Sequence, residues 1–175
     1  MLRVLCMALM TLLLAGNMAM AEASADAKSF FTSAEGKFAQ GDFKGAIADY
    51  TKVIELDPKN ADAFNSRGEA KFDSGDKQGA IADYTRTIEL DPKYADAYNN
   101  RGSAKSEFGD KQGALADYTK AVEINPVYVA AYVNRAAIKM DLGDKDGVIA
   151  DMLVAAKLGN LGAQQWLKQN GISGW

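Results

Sequence analysis

Carboxylates are the only abundant side chains in this sequence that could exchange a proton near neutral pH. The chain has 175 residues, 23 of them acidic; histidine is absent, and the single cysteine, Cys6, falls within the first 21 positions. Beyond that segment the usual neutral-pH base, the best soft metal ligands and the thiol nucleophile are all missing. Glu69 and Asp73 stand four residues apart, so a helix would place them on one face, as acid–base work by paired carboxylates requires. Solvated surface acids share that spacing far more often, so a hydrolytic site is not expected. The Gly-Asp-Lys triplets at Gly75, Gly109 and Gly143 offer oxygen ligands, but they lack the spaced acids and the final glutamate of a calcium loop. No phosphate-loop or dinucleotide-type glycine spacing occurs either. No enzyme activity, metal or cofactor is therefore expected.

Around these residues the chain divides into a leader and an ordered body. Arg3 is the only charge in the first 21 residues; an apolar run from Val4 to Ala15 follows, then Ala19-Met20-Ala21 before Glu22. That is the layout of a cleavable secretory signal, and the run is short for a membrane span. Retention as an N-terminal anchor is the lesser alternative. Removing residues 1–21 leaves 154 residues, enough for one domain with a real core, and moves the net charge from −3 to −4. Such a balance argues against nucleic acid and anionic lipid as partners, since both favour clustered positive charge. The leader predicts a secreted or periplasmic location.

The body repeats. Residues 61–94 align without a gap on residues 95–128 with 21 identities in 34 positions. The same period runs back over residues 27–60 and forward over 129–162, so four copies predict a stacked array. Within a copy, apolar and small residues recur at helical spacing: Phe64, Gly68 and Phe72 in the first half, Ala80, Ile81, Tyr84 and Ile88 in the second. Gly75-Asp76 divides the halves. The glycine ends one helix and the aspartate caps the next, and the pair recurs at Gly41-Asp42, Gly109-Asp110 and Gly143-Asp144. Pro58, Pro92 and Pro126 close each second helix.

Period and residues resemble the tetratricopeptide repeat (TPR). The early aromatics are Phe30, Phe64, Tyr98 and Tyr132. The first small residue is Ala34, Gly68, Gly102 or Ala136; the second is Ala46, Ala80, Ala114 or, as a departure, Val148. The resemblance implies an all-α, right-handed superhelical solenoid of four helix-turn-helix repeats, spanning 27–60, 61–94, 95–128 and 129–162. Residues 22–26 would be a short linker. In the fourth repeat Met152 replaces the tyrosine of Tyr50, Tyr84 and Tyr118, and Gly159 stands where proline is expected. Residues 163–175 would follow as a capping helix and tail, with Trp166 and Leu167 covering the end of the core.

Two charge rows run along the repeats. Arg67, Arg101 and Arg135 share one position, Lys71, Lys105 and Lys139 lie four residues on, and Asp49, Asp83, Asp117 and Asp151 recur in the second helices. The rows read either as a basic binding ladder or, more blandly, as ion pairs. Because Ser33 replaces arginine in the first repeat, the expected pairing runs between repeats: Asp49 with Arg67, Asp83 with Arg101 and Asp117 with Arg135, leaving Asp151 unmatched.

The resemblance also implies a concave groove lined by the first helices. Carried over position by position, it gives Lys28, Phe31, Glu35, Phe38 and Ala39 in the first repeat, and Asp62, Asn65, Glu69, Phe72 and Asp73 in the second. The third repeat supplies Asp96, Asn99, Ser103, Ser106 and Glu107, and the fourth Ala130, Val133, Ala137, Met140 and Asp141. Asn65 and Asn99 can each donate and accept towards a partner backbone, or lie on a solvated helix face. Phe31, Phe38 and Phe72 are either anchors for a partner or packing between repeats. Acid along the groove favours a basic peptide or protein. A carboxylate clamp of lysine, asparagine and arginine, used by some relatives, is not expected, since Phe31, Glu35 and Asp96 occupy its positions. The resemblance thus implies a protein-binding scaffold, and the leader suggests a place for it in envelope assembly or secretion. Self-association through the array ends, with Trp166 and Trp175 in contact, is the alternative.

Overall fold

The computed structural model describes residues 24–175. The expected signal, residues 1–21, lies outside the described residues. Among those described there are nine helices and no strand. They are α1 (24–39), α2 (Phe43–Leu56), α3 (Ala61–Asp73), α4 (Lys77–Leu90), α5 (Ala95–Glu107), α6 (Lys111–Ile124), α7 (Val129–Asp141), α8 (Lys145–Lys157) and α9 (Leu161–Gln169). Helix α1 takes in three of the residues expected to be linker.

Local chemistry sets these boundaries. Gly75 adopts φ +92°, a left-handed conformation open to glycine at little cost, and its counterparts in the other three hairpins do the same. Asp76 then caps α4, its Oδ1 accepting from the Gly79 amide at 2.9 Å, and Asp42, Asp110 and Asp144 repeat the bond. Gly79 is part of the device, because a Cβ there would meet the Asp76 carboxylate at 2.1 Å. At the far ends α2, α4 and α6 stop two residues before Pro58, Pro92 and Pro126. The fourth repeat, lacking that proline, stops α8 with Gly159 at φ +91°.

Each helix packs on its chain neighbours, so the hairpins stack in order; α3 also touches α5, and α5 touches α7. The second helices α4 and α6 do not meet to the same extent. First helices that crowd together while second helices splay define the inner and outer sides of a curved array. The core is built from small residues and, in each of the first three repeats, one large ring: Ala46 with Tyr50, Ala80 with Tyr84, Ala114 with Tyr118. Gly68 lets Tyr84 lie across α3, where a Cβ would stand 2.7 Å from the ring. Helix α9 closes the array as expected: Leu167 is fully buried with Ala155, Ala156 and Ala163, and Trp166, Ile172 and Trp175 pack around them.

The aspartate row pairs within repeats, which corrects the expected pairing between them. Arg67 grips Asp83 with two bonds, Nε to Oδ2 at 2.9 Å and Nη2 to Oδ1 at 2.7 Å, and Lys71 Nζ adds a third contact at 2.8 Å. Arg101 and Lys105 hold Asp117, and Arg135 and Lys139 hold Asp151, in the same way. The reason is geometric: the two helices of one hairpin run antiparallel, which brings residues sixteen apart face to face. Asp49 is not orphaned, because Ser33 donates to it at 2.7 Å and Lys37 takes the place of the missing guanidinium. Those two bonds hold the Asp49 carboxyl below its usual pKa. The arginines still connect neighbours, since Nη1 of Arg67, Arg101 and Arg135 reaches Thr51, Thr85 and Thr119 of the preceding repeat.

Asp117 is only 4% exposed, so removing its main partner strands a buried charge. Arg101→Met is expected to lower unfolding free energy in urea by about 3 kcal/mol, the low end for a broken buried pair because Lys105 remains. In double-mutant cycles, Arg101 with Asp117 should show coupling above about 1 kcal/mol, and Arg101 with Asp83 less than about 0.5 kcal/mol.

Candidate functional site

The inner face is stitched by amides. Asn65 and Asn100 both donate to Glu69 Oε1, at 2.8 and 2.9 Å, which ties α3 to α5. Asn134 donates to Asn99 Oδ1 at 3.0 Å and ties α5 to α7. Asn65 and Asn99 are therefore 6% and 8% exposed, which does not fit a solvated helix face. Their side chains help join the first helices to one another. Sequence reasoning passed over Asn100 and Asn134, although they recur at one repeat position, where Ser66 precedes them; the signal was an amide ladder one residue out of phase with the first.

The remaining candidates separate by exposure and charge pairing. Phe31 is half-buried and meets Tyr50 edge-on at 5.4 Å; Phe38 and Phe72 are half-buried against the cores of the first two repeats. Ser103 faces the Tyr118 hydroxyl at 3.1 Å, and Met140 is 52% exposed. Glu107 and Asp141 are partnered between repeats by Lys77 and Lys111. In the first repeat Phe43 stands where those lysines stand, so Asp73 has no lysine opposite. Among the described residues, Glu35, Asp62, Glu69, Asp73 and Asp96 form no ion pair. Asp62 accepts instead from the Tyr94 hydroxyl at 2.8 Å.

Two recesses open on this face. The larger, about 670 Å³, lies at its N-terminal end between Lys28, Phe31, Glu35, Asn60 and Asp62. The smaller, about 280 Å³, lies over Glu69 and Asp73 with Phe38, Phe72 and Tyr84 at its sides. Burial pushes the Glu69 carboxyl above the ordinary glutamate range; the bonds from Asn65 and Asn100 oppose that rise, and the nearby charges of Asp96 and Asp73 add to it. Burial likewise raises the phenols of Tyr84, Tyr94 and Tyr128, with Glu69 contributing to each. The face can thus accept hydrogen bonds and attract cations. Among the described residues no group of three or more His, Cys, Asp and Glu is placed to hold a metal ion, and no helix is long and apolar enough to cross a membrane.

Known proteins share this architecture. Residues 37–75 and 68–109 match the family profile described as TPR repeat, and residues 95–128 match the one described as tetratricopeptide repeat. The chain is a tetratricopeptide-repeat solenoid, and such repeats are protein–protein interaction modules. No curated protein sequence matches it. The crystal structure of MamA protein superposes with TM-score 0.71 at 28% identity, over 77% of this chain and 74% of that one. The first TPR of Spaghetti (RPAP3), bound to the HSP90 peptide SRMEEVD, gives TM-score 0.67 at 28% identity, over 69% of this chain and 95% of that one. The second TPR domain of human RPAP3, in complex with the HSP70 peptide SGPTIEEVD, gives 0.65 at 28%, over 67% and 98%.

The raised pKa of Glu69 has a stability consequence. The folded chain holds its proton more tightly than the unfolded chain, so ionised Glu69 destabilises the fold at neutral pH and the penalty disappears as pH falls below the unfolded glutamate value. Asp73, Asp96, Tyr84, Tyr94 and Tyr128 are the charged and titratable groups around it. Glu69→Gln keeps an oxygen to accept from Asn65 and Asn100. It is expected to melt at a higher temperature than the parent at pH 7, with the difference shrinking towards pH 4, as followed by circular dichroism.

Proposed function

We propose that the chain is a non-catalytic adaptor outside the cytoplasm, which binds a basic peptide or protein segment along the face of α1, α3, α5 and α7. The observation that carries this reading is the row of five acids without ion pairs, beside half-buried phenylalanines. Asp83, Asp117 and Asp151 are neutralised by arginine and lysine, and Glu107 and Asp141 on the first helices by lysine. Charge left uncompensated on an inner face raises the local concentration of a cationic partner and steers its encounter. The two RPAP3 domains hold peptides ending in EEVD. An acidic end of that kind would meet Glu35, Glu69 and Asp96 here, and like charges oppose it. The signal layout of residues 1–21 supports delivery across a membrane, and roles in envelope assembly or secretion follow from that location.

Two measurements test the proposal. Intact mass of the protein recovered from its host should lack residues 1–21 and begin at Glu22; a mass that includes Met1 to Ala21 would contradict an exported, processed adaptor. Envelope extract passed over the immobilised chain should yield a partner segment that elutes as salt is raised and is lost on a variant carrying Glu35→Lys and Asp96→Lys, both exposed positions. A partner that the variant still retains would place binding elsewhere, and recovery of the chain alone would favour association through α9 and the array end.

A further inference from the structure

We propose that the recess over Glu69 is a pocket for a single arginine side chain of the partner. The inference rests on the groove reading above and gives it a point of specificity. Three repeats build the site: Phe38 from α1, Phe72, Glu69 and Asp73 from α3, Tyr84 from α4, and Asn100 from α5. Its volume, about 280 Å³, admits one long side chain and excludes a folded element. The two amides that bond to Glu69 both use Oε1, and Oε2 carries no hydrogen bond among the described residues. Asp73 adds a second carboxylate one turn along the same helix, left without a lysine because Phe43 stands opposite.

That combination matches a guanidinium more closely than an ammonium. Guanidinium is planar, carries five donors in a fixed fork, stacks on aromatic rings and gives up water more readily than a lysine head. Here it would find the free Oε2 of a carboxylate held in place through Oε1 by Asn65 and Asn100, a second acid to close the fork and phenylalanine rings to cover its faces. The network anchors Glu69 before any partner arrives, so little side-chain freedom is lost on binding. The partner's positive charge would also relieve the burial that now disfavours the ionised carboxylate. Glu69 thus opposes folding of the free chain and favours the complex, the pattern of a group retained for binding.

The test uses the full chain and two nine-residue probes, acetyl-Gly-Ser-Gly-Ala-Arg-Ala-Gly-Ser-Gly-amide and the same peptide with citrulline, an uncharged isostere, in place of arginine. Ring-proton resonances of Phe38 and Phe72 report occupancy. Expected is a saturable shift of both rings with the arginine probe, affinity about tenfold lower for citrulline, and about tenfold lower for Glu69→Gln without loss of melting temperature. Asp73→Asn, at an exposed position, should weaken the arginine probe in the same direction. Glu89→Gln removes one negative charge from α4 away from the recess and should leave affinity unchanged. Equal affinity for the two probes, equal losses for Glu89→Gln and Glu69→Gln, or shifts that spare Phe38 and Phe72 would each overturn the pocket. If those failures occur while the captured segment is still lost on the Glu35→Lys, Asp96→Lys variant, the groove stands and only the arginine pocket falls.

Discussion

The aspartate row at Asp49, Asp83, Asp117 and Asp151 is the constraint from which the array is built. Each is 2–4% exposed, and an isolated carboxylate at that depth would be too costly to keep ionised, so the first helix of every hairpin must deliver cations to it. A bidentate arginine and a lysine one turn later satisfy the charge only when the two helices lie side by side in one register. The pairing therefore acts on specificity more than on net stability. Many hydrophobic arrangements of two amphipathic helices bury similar area, but few place residues sixteen apart within hydrogen-bond reach. The arginine's remaining donor, aimed at a threonine of the preceding repeat, carries the same register into the stack.

Placing the strong cations in that seam decides the character of the opposite face. Arg67, Arg101, Arg135 and their lysine companions are used within the hairpins, so the acids on the inner side of the first helices have few positive neighbours. Where a lysine is available between repeats, at Lys77 and Lys111, it pairs with Glu107 and Asp141 near the hairpin turns. The absence of that lysine in the first repeat, where Phe43 packs edge-on against Phe38 at 5.5 Å, leaves the region of Asp73 and Glu69 both aromatic and negative. A small departure from the repeat thus creates the asymmetry that makes one part of the groove unlike the rest.

The amide ladder explains how the inner face tolerates this charge. Glu69 is held by two donors from different repeats, which compensates part of its lost hydration while leaving its charge in place. The ladder also ties first helix to first helix, consistent with a stack that closes up on this side. Towards the C-terminus the polar stitching gives way to apolar packing, with Trp166, Ile172, Trp175, Val129, Tyr132 and Val133 all packed around Ala155, Ala156, Ala163 and Leu167. A terminal helix must cover core without a further repeat to cover it in turn, and large rings do that with few residues.

Period, helix boundaries and cap were legible in the sequence because they depend on short-range chemistry. A positive-φ glycine, a capping aspartate and a proline after the helix act within four or five residues, and four copies made the pattern unambiguous. That the charge rows pair was legible too. Their direction was not, because the substitution of Ser33 for arginine suggested an orphaned Asp49, and only the packed hairpin shows Lys37 reaching the same carboxylate. The fates of Asn65 and Asn99 likewise depended on Asn100 and Asn134, contributed by the neighbouring repeats, and no spacing rule along one helix reveals a donor that arrives from another. Local sequence determined which elements form and where they end. The tertiary stack alone decided which polar groups are spent on one another and which are left facing outward, because that depends on distances between helices rather than along them.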